Sequence, residues 1–293
     1  MGYLYLIISI FAGTIKGFCG KKLSDKVVSL NGVFYINFLR MLLCIAIGFF
    51  IVLFDDINGL ALPPYILLIT AVSGIFTALF VAIWIACIRK GAYVLVDVFI
   101  MSGAIITILL CNLFFKEKIT LFHCIGFLLL TVGAYVMCSY SSNIKSKLTK
   151  KSFLILFLCG LFSGLVDFSQ KWYVKTLPLG SIAVFNFYTY LFAALALLIC
   201  FLISKKIENK ENDGKSLYVF WVICAMAAFL FTNSYFKTLA ARYIDSAVLY
   251  PLSNTMSIIL SAIMASIFFK ERITGKCVIG IIISIVALVI IKL

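Results

Sequence analysis

Charged residues are scarce in this sequence. Asp, Glu, Lys and Arg make up 12% of its 293 residues, whereas 64% are hydrophobic. Ordinary soluble domains are about half apolar and a quarter charged. A chain with so little polar surface cannot coat a water-soluble globule, so the composition excludes a cytosolic enzyme and indicates an integral membrane protein.

Histidine and paired cysteine motifs are also missing. His123 is the single histidine, and the ten cysteines are scattered through apolar stretches without a C-x-x-C pair. This pattern argues against zinc, haem and a disulfide framework, so we expect no metal and no cofactor. The sequence has no H-E-x-x-H, G-x-S-x-G or aspartate-rich motif from which to build a catalytic cluster. We therefore predict no catalytic residues and no enzymatic activity.

Acidic residues are outnumbered by basic ones. There are 25 Lys and Arg against 11 Asp and Glu, which gives a net charge of +14. In a membrane chain such an excess reports topology and contact with anionic headgroups. We therefore expect the lipid bilayer as a partner and no nucleic acid.

Apolar runs long enough to cross a bilayer recur along the whole chain. A crossing helix needs roughly 20 apolar residues, and these runs are apolar on every face, unlike the alternating strands of a barrel. The runs lie at 2–20, 31–54, 64–86, 92–115, 121–140, 152–170, 180–204, 217–236, 245–269 and 277–291. We predict an all-α integral membrane protein with ten transmembrane helices.

One seven-residue motif occurs twice. Phe114–Thr120 reads FFKEKIT, and Phe268–Thr274 reads FFKERIT 154 positions later. An odd number of helices in each copy means that the second copy is inserted upside down, as in many secondary transporters, whose binding site lies near the midplane between the repeats. We predict two inverted five-helix repeats, at 1–140 and 152–293, joined by a polar linker at 141–151.

These motifs resemble the drug/metabolite transporter superfamily, and most closely its EamA-type ten-helix branch. The resemblance rests on the two F-F-K-E elements, on Tyr243–Leu252 and on Arg40, where the family often carries an arginine. It implies a carrier of small metabolites that works by alternating access. It also implies a central cavity lined mainly by helices 1–4 and 6–9, with helices 5 and 10 at the periphery. It does not imply a particular substrate.

Four charged residues fall within predicted crossings: Lys16, Arg40, Asp97 and Asp167. A charge there costs roughly 2.5–3.5 kcal/mol on insertion scales, so these residues are the first candidates for a transport pathway. Asp97 and Asp167 are candidates for proton coupling. Arg40 needs an acceptor, and anchoring to Asp97 or to backbone carbonyls is as consistent with its position as contact with a ligand.

Lys16 and Asp167 occupy equivalent positions in the two repeats, at an offset of 151. Each shares a helix face with small residues, which mark close helix contacts, so both charges are expected to face the bundle. We interpret them as opposed ends of one polar site, with a carboxylate of the cargo toward Lys16 and an ammonium toward Asp167. The alternative is a buried ion pair that only fixes helix packing.

Helix 9 contains Pro251, which removes a helical hydrogen bond and makes it a hinge candidate. Polar or aromatic groups at suitable depth are further candidates for substrate contact. They are Trp84, Gln170, Asn186, Tyr188 and Asn254.

The leading functional hypothesis is a secondary active transporter of a small polar metabolite, an amino-acid-like zwitterion or amine, driven by protons or by exchange. We expect a multi-pass protein of the plasma (inner) membrane, in which helices 5 and 10 could support a homodimer. The alternatives are a multidrug or lipophilic-cation exporter, a flippase-like carrier of lipid-linked intermediates, and a structural membrane protein. Sixteen Lys and Arg in connectors on one side against seven on the other favour both termini outside, whereas the family resemblance implies both termini inside.

Overall fold

The computed structural model describes residues 1–24, 26, 29–55, 57–89, 93–138, 150–207, 217–269 and 275–292. Within these residues the chain forms ten α-helices and a one-turn 3-10 helix at Ile57–Leu60. The helices are α1 (Gly2–Ser24), α2 (Leu30–Asp55), α3 (Pro64–Arg89), α4 (Tyr93–Phe115), α5 (Leu121–Cys138), α6 (Lys150–Thr176), α7 (Ile182–Ile207), α8 (Leu217–Ala240), α9 (Ser246–Phe269) and α10 (Gly275–Lys292). The prediction of an all-α fold with ten helices is confirmed.

The apolar character of these helices suits a lipid environment, where a helix satisfies its own backbone hydrogen bonds. Seven of them are long and apolar enough to cross a membrane. In the described residues of α4, α5 and α10 the apolar stretches are shorter, at Phe99–Phe115, Leu121–Gly133 and Val278–Ile291.

The helices pack in the pattern of two inverted repeats. α2 contacts α7, α4 contacts α9 and α5 contacts α10, so each of these helices packs on its own counterpart. Contacts between other helices also occur in symmetry-related pairs. The contact of α1 with α8 corresponds to that of α6 with α3, and the contact of α3 with α7 corresponds to that of α8 with α2. This is the arrangement that an axis of pseudo-twofold symmetry produces. Residues 141–149 of the predicted linker lie outside the described residues.

α5 and α10 form a peripheral pair. A Cβ added at Gly126 would meet Ile291, and one added at Gly133 would meet Ser284, so small residues bring the two helices close together. Their opposite faces carry exposed apolar side chains such as Leu128 and Val289. This is the position that the family resemblance implies for helices 5 and 10.

Several helices extend further than the sequence predicts, and in α6 and α8 the extension changes the place of a charge. α6 continues to Thr176 and α8 to Ala240, so Lys171 and Lys237, which come directly after the predicted runs at 152–170 and 217–236, lie inside helices. Both lysines are buried, at 2% and 9% exposure. The hydropathy pattern ends these helices too early because it treats a lysine as a cost, and internal partners offset that cost here.

α4 and α6 cross at their closest approach through glycine. A Cβ added at Gly160 would fall on the carbonyl oxygen of Phe99, and one added at Gly103 or Gly164 would fall on backbone of the facing helix. Only glycine allows this separation, and α4 thereby joins the first repeat to the second.

We predict that Gly160→Ala lowers both the folded yield and the apparent melting temperature. The added methyl group must push the helices apart, and overpacking of this kind costs about 1–3 kcal/mol. Gly275→Ala is the matched control, because nothing lies within 4 Å of a Cβ at that position. Thermal unfolding in detergent, followed by size-exclusion chromatography, measures both effects. Equal stability of the two variants would contradict the close contact.

Candidate functional site

A central cavity of about 120 Å³ lies between the two repeats. A cavity of roughly 150 Å³ holds one benzene molecule, so the space suits a small metabolite. Its lining comes from α1, α3, α4, α6, α7, α8 and α9. None of the lining residues belongs to α2. This is a difference from the family resemblance, which implies a cavity lined mainly by helices 1–4 and 6–9. Small polar side chains are frequent in the lining: Ser73, Thr77, Ser163, Thr189, Asn233, Ser234, Ser253, Ser257 and Ser261.

Asp167 and Lys237 form an ion pair in this cavity. Nζ of Lys237 donates to Oδ1 of Asp167 at 2.7 Å, and the side chains are 11% and 5% exposed, respectively. Tyr250 supports both partners, because its hydroxyl donates to the backbone oxygen of Asp167 and its ring centroid lies 5.4 Å from Nζ of Lys237. α6, α8 and α9 therefore meet at one buried charge pair.

Lys16 lines the same cavity from α1. Its Nζ lies 5.7 Å from the ring centroid of Trp84, which also lines the cavity, and its charge interacts favourably with that of Asp167. The structure thus brings the two predicted charges to one cavity. The ion pair formed by the Asp167 carboxylate is with Lys237, a residue that the sequence analysis did not propose for the site.

A signal for Lys237 is present in the sequence. Asn233, Ser234 and Lys237 follow i, i+1 and i+4 spacing, which places three polar groups on one side of a helix, and all three line the cavity. The signal was missed because Lys237 lies beyond the end of the predicted apolar run.

A chain of hydrogen bonds connects Gln170 to α7 and α8. Nδ2 of Asn186 donates to the carbonyl of Ile182 at 3.0 Å, and the Ser234 hydroxyl donates to Oδ1 of Asn186 at 2.7 Å. Nε2 of Gln170 in turn donates to Oγ of Ser234 at 3.2 Å. Gln170 lines the cavity, whereas Asn186 lies behind Ser234 and is not part of the lining.

Several buried polar atoms of the cavity wall have no hydrogen-bond partner among the described residues. They include Oδ2 of Asp167, Oε1 of Gln170 and Oγ1 of Thr189. Buried polar groups in native proteins are nearly always paired, so each unpaired one needs an explanation. Unpaired atoms gathered around one cavity are typical of a site that completes its hydrogen bonds with a ligand.

α9 contributes the predicted residue Asn254, whose Nδ2 lies 3.4 Å from the carbonyl oxygen of Ile100. Ser253 and Asn254 both line the cavity, one turn after Pro251, which lies inside the helix. A hinge at Pro251 stays a prediction.

The remaining predicted residues lie elsewhere. Arg40 is 1% exposed, and its three guanidinium nitrogens make no hydrogen bond within the described part of the chain, whereas the sequence predicts an acceptor. It lies behind the cavity wall, close to Tyr190 and Cys44. The Tyr188 hydroxyl donates to the carbonyl of Leu60 and ties α7 to the 3-10 helix, away from the cavity lining. The side chain of Asp97 lies outside the described residues.

Glu117 of the first repeated F-F-K-E element closes one end of the bundle. Its Oε1 lies 3.3 Å from Nζ of Lys171 and 3.4 Å from Nζ of Lys175. Its Oε2 accepts a hydrogen bond from the backbone N–H of Ser246, at the start of α9. Lys171 also donates to the carbonyls of Ala241 and Ile244. These contacts join the α4–α5 connector of the first repeat to α6 and α9 of the second. Residue 271, the counterpart of Glu117, lies outside the described residues.

We predict that this cluster makes the protein sensitive to acid. Burial by itself raises the pKa of Glu117, but the charge of Lys171 and the hydrogen bonds from Ser246 outweigh it and hold the pKa below its usual value of 4.5. A carboxylate with a lowered folded pKa stabilises the fold above its unfolded pKa, and this contribution is lost as the pH falls through the folded value. Glu117→Gln should therefore lower the melting temperature at pH 7 and flatten its decline between pH 6 and pH 3.

The control for this prediction is Lys205→Gln, which changes an exposed charge at the end of α7, away from the cluster. Melting temperatures of the three proteins are compared across the same pH series. A Glu117→Gln profile that runs parallel to that of the unmodified protein would show that the cluster does not titrate as described.

Comparison with known proteins identifies the family. The model of the EamA-like transporter family matches residues 1–139 and 150–293, one match for each repeat. A solved structure titled "Crystal structure of protein" has a TM-score of 0.77 and 12% identity, over 99% of this chain and 95% of that chain; at this identity the likeness shows the fold alone. A comparison with curated proteins finds no match. Two matches that together span nearly the whole sequence show that this chain belongs to the EamA-like transporter family, and that it is a multi-pass membrane transporter.

Proposed function

We propose that this transporter is a secondary carrier of a small zwitterion or amine, with an amino-acid-like compound as its typical cargo. The observation that carries the proposal is the Asp167–Lys237 ion pair, which lines the cavity between the repeats together with Lys16. Groups of both signs thus face one space of about 120 Å³. We further propose that the carrier acts in the plasma (inner) membrane.

A bound cargo would replace, with its own charges, the partners that Asp167 and Lys237 provide for each other. Removing one member of a buried ion pair leaves an uncompensated charge and costs about 3–5 kcal/mol. A zwitterion can replace both members at once, because its ammonium compensates Asp167 while its carboxylate compensates Lys237. A carboxylate alone leaves Asp167 without a cation unless Lys237 stays with it. The pair therefore favours a cargo that carries an ammonium group.

Proton coupling is proposed at the same group. A proton on Asp167 would neutralise the carboxylate and release Lys237, just as an ammonium would. Asp97 is the second candidate for this role. Exchange of one cargo molecule for another is the alternative driving force, since each would keep the ion pair compensated.

Alternating access needs an access path that can close at either end, and the two ends of the cavity differ in chemistry. Toward the end where α6 terminates lies the ionic cluster of Glu117, Lys171 and Lys175. Toward the opposite end lies an apolar cluster that includes Leu23, Trp84 and Ile88. This supports two separate closures, one ionic and one apolar.

Uptake into proteoliposomes tests the proposal. Radiolabelled alanine, leucine, lysine and putrescine are each measured with and without an inward proton gradient, and again with unlabelled compound inside. Uptake that requires the protein and depends on either gradient supports a secondary carrier. If lipophilic quaternary cations are taken up and none of these four compounds is, the cargo class is wrong.

We predict different effects of single and double substitutions at the ion pair. Asp167→Asn and Lys237→Met should each reduce the folded yield, because each leaves one buried charge uncompensated. The double variant should recover most of that yield, since replacing both partners is often nearly neutral for stability. It should still fail to transport, because it lacks the charges that bind cargo. Lys205→Gln, an exposed position at the end of α7, is the control. A double variant that transports normally would reduce the pair to a packing element.

A further inference from the structure

We infer that Oδ2 of Asp167 and Oε1 of Gln170 form a subsite for a primary ammonium group, which must carry N–H donors to be bound. The inference rests on the proposed function and states which part of the cargo this portion of the cavity holds. The subsite would also distinguish primary amines from quaternary ammonium compounds. The exchange of charges does not distinguish them, because both carry a positive charge.

The first observation is that both atoms are buried acceptors without a partner. Asp167 and Gln170 are each 4% exposed, and both side chains line the cavity. They are separated by three positions on α6, so they lie one above the other on the same helix face. Lys237 donates a hydrogen bond to Oδ1 of Asp167 and none to Oδ2.

The second observation is that the direction of the Gln170 amide is fixed by its neighbours. The carbonyl of Ile182 can only accept a hydrogen bond, so it must receive Nδ2 of Asn186, and Oδ1 of Asn186 turns toward Ser234. The Ser234 hydroxyl gives its single proton to that oxygen. Ser234 can then only accept from Gln170, which presents Nε2 to it and keeps Oε1 as the unpaired end.

Two acceptors without donors define the chemistry of the missing partner. A ligand atom that satisfies both must supply at least two N–H or O–H donors, and the carboxylate favours a positive charge. A primary ammonium has three donors and a positive charge, so it fits both acceptors. A hydroxyl has one donor, and a quaternary ammonium has none. Ser234 and Asn186 act as positioning residues, since they hold the Gln170 amide in its orientation.

The experiment measures how much the affinity of a ligand depends on its N–H groups. The purified full chain is titrated with alanine, with N,N,N-trimethylalanine and with propionate, and its thermal stabilisation is recorded as a function of concentration. Ethylamine and ethyltrimethylammonium form a second pair without a carboxylate. We expect alanine and ethylamine to bind at least tenfold more tightly than their trimethylated counterparts, and propionate to bind more weakly than alanine.

Three variants test the residues. Gln170→Leu should weaken alanine binding by about tenfold or more, because it removes a hydrogen bond to a charged group, and it should leave the affinity for trimethylalanine unchanged. Ser234→Ala should weaken alanine binding by a smaller factor, since the amide is then free to turn. Thr232→Ala is the matched control, because its hydroxyl donates to the carbonyl of Ala228 within α8 and the residue lies outside the cavity lining.

The ratio of the two affinities is the decisive readout, because a general loss of stability lowers both equally. A wild-type ratio near one would overturn the subsite, and so would a Gln170→Leu ratio equal to that of the wild type. Either result, obtained while alanine or putrescine is still transported in proteoliposomes, would leave the carrier proposal standing. An absence of both binding and transport for every amine and zwitterion would overturn the two proposals together.

Discussion

The buried ion pair between Asp167 and Lys237 is the interaction on which the junction of α6, α8 and α9 depends. With 2.7 Å between Nζ and Oδ1 and little exposure on either side, neither charge can leave the other without a substitute. The pair holds α6 to α8, and Tyr250 extends the contact to α9. Under the proposed function, the stability of the fold and the binding of cargo therefore depend on the same atoms.

The fold is symmetric, but the chemistry within it is not. Lys16 and Asp167 occupy equivalent positions and carry opposite charges. At the same offset of 151, Lys171 of the ionic cluster corresponds to Gly20, which packs directly on the ring of Trp84. One end of the bundle therefore closes through charges, whereas the other closes through aromatic and aliphatic contacts. In a carrier that works by alternating access, as the proposed function requires, this difference would give the two ends different energetic costs of opening.

Hydropathy and repetition were sufficient to predict ten helices in two inverted repeats, because lipid leaves the backbone few alternatives. The helical faces of Lys16 and Asp167 were also sufficient to direct both toward the bundle. Lys237 was missed because a hydropathy pattern contains no information about an acid on another helix that lets a lysine remain buried. The partner of Tyr188 could not be predicted for a related reason, since depth along a helix can be read from a sequence whereas the hydrogen bond to the carbonyl of Leu60 cannot.

The direction of the side-chain hydrogen bonds is the property of this site that a sequence pattern predicts least well. Asn186 lies outside the cavity lining, yet its own bond to the carbonyl of Ile182 determines, through Ser234, which end of Gln170 is left unpaired. Each step follows from the fact that a carbonyl only accepts and a hydroxyl has one proton to give. A residue two hydrogen bonds from the cavity can thus determine whether the cavity presents a donor or an acceptor. Substitution of such a residue is therefore expected to change the hydrogen bonds that the cavity offers without changing a residue of its lining.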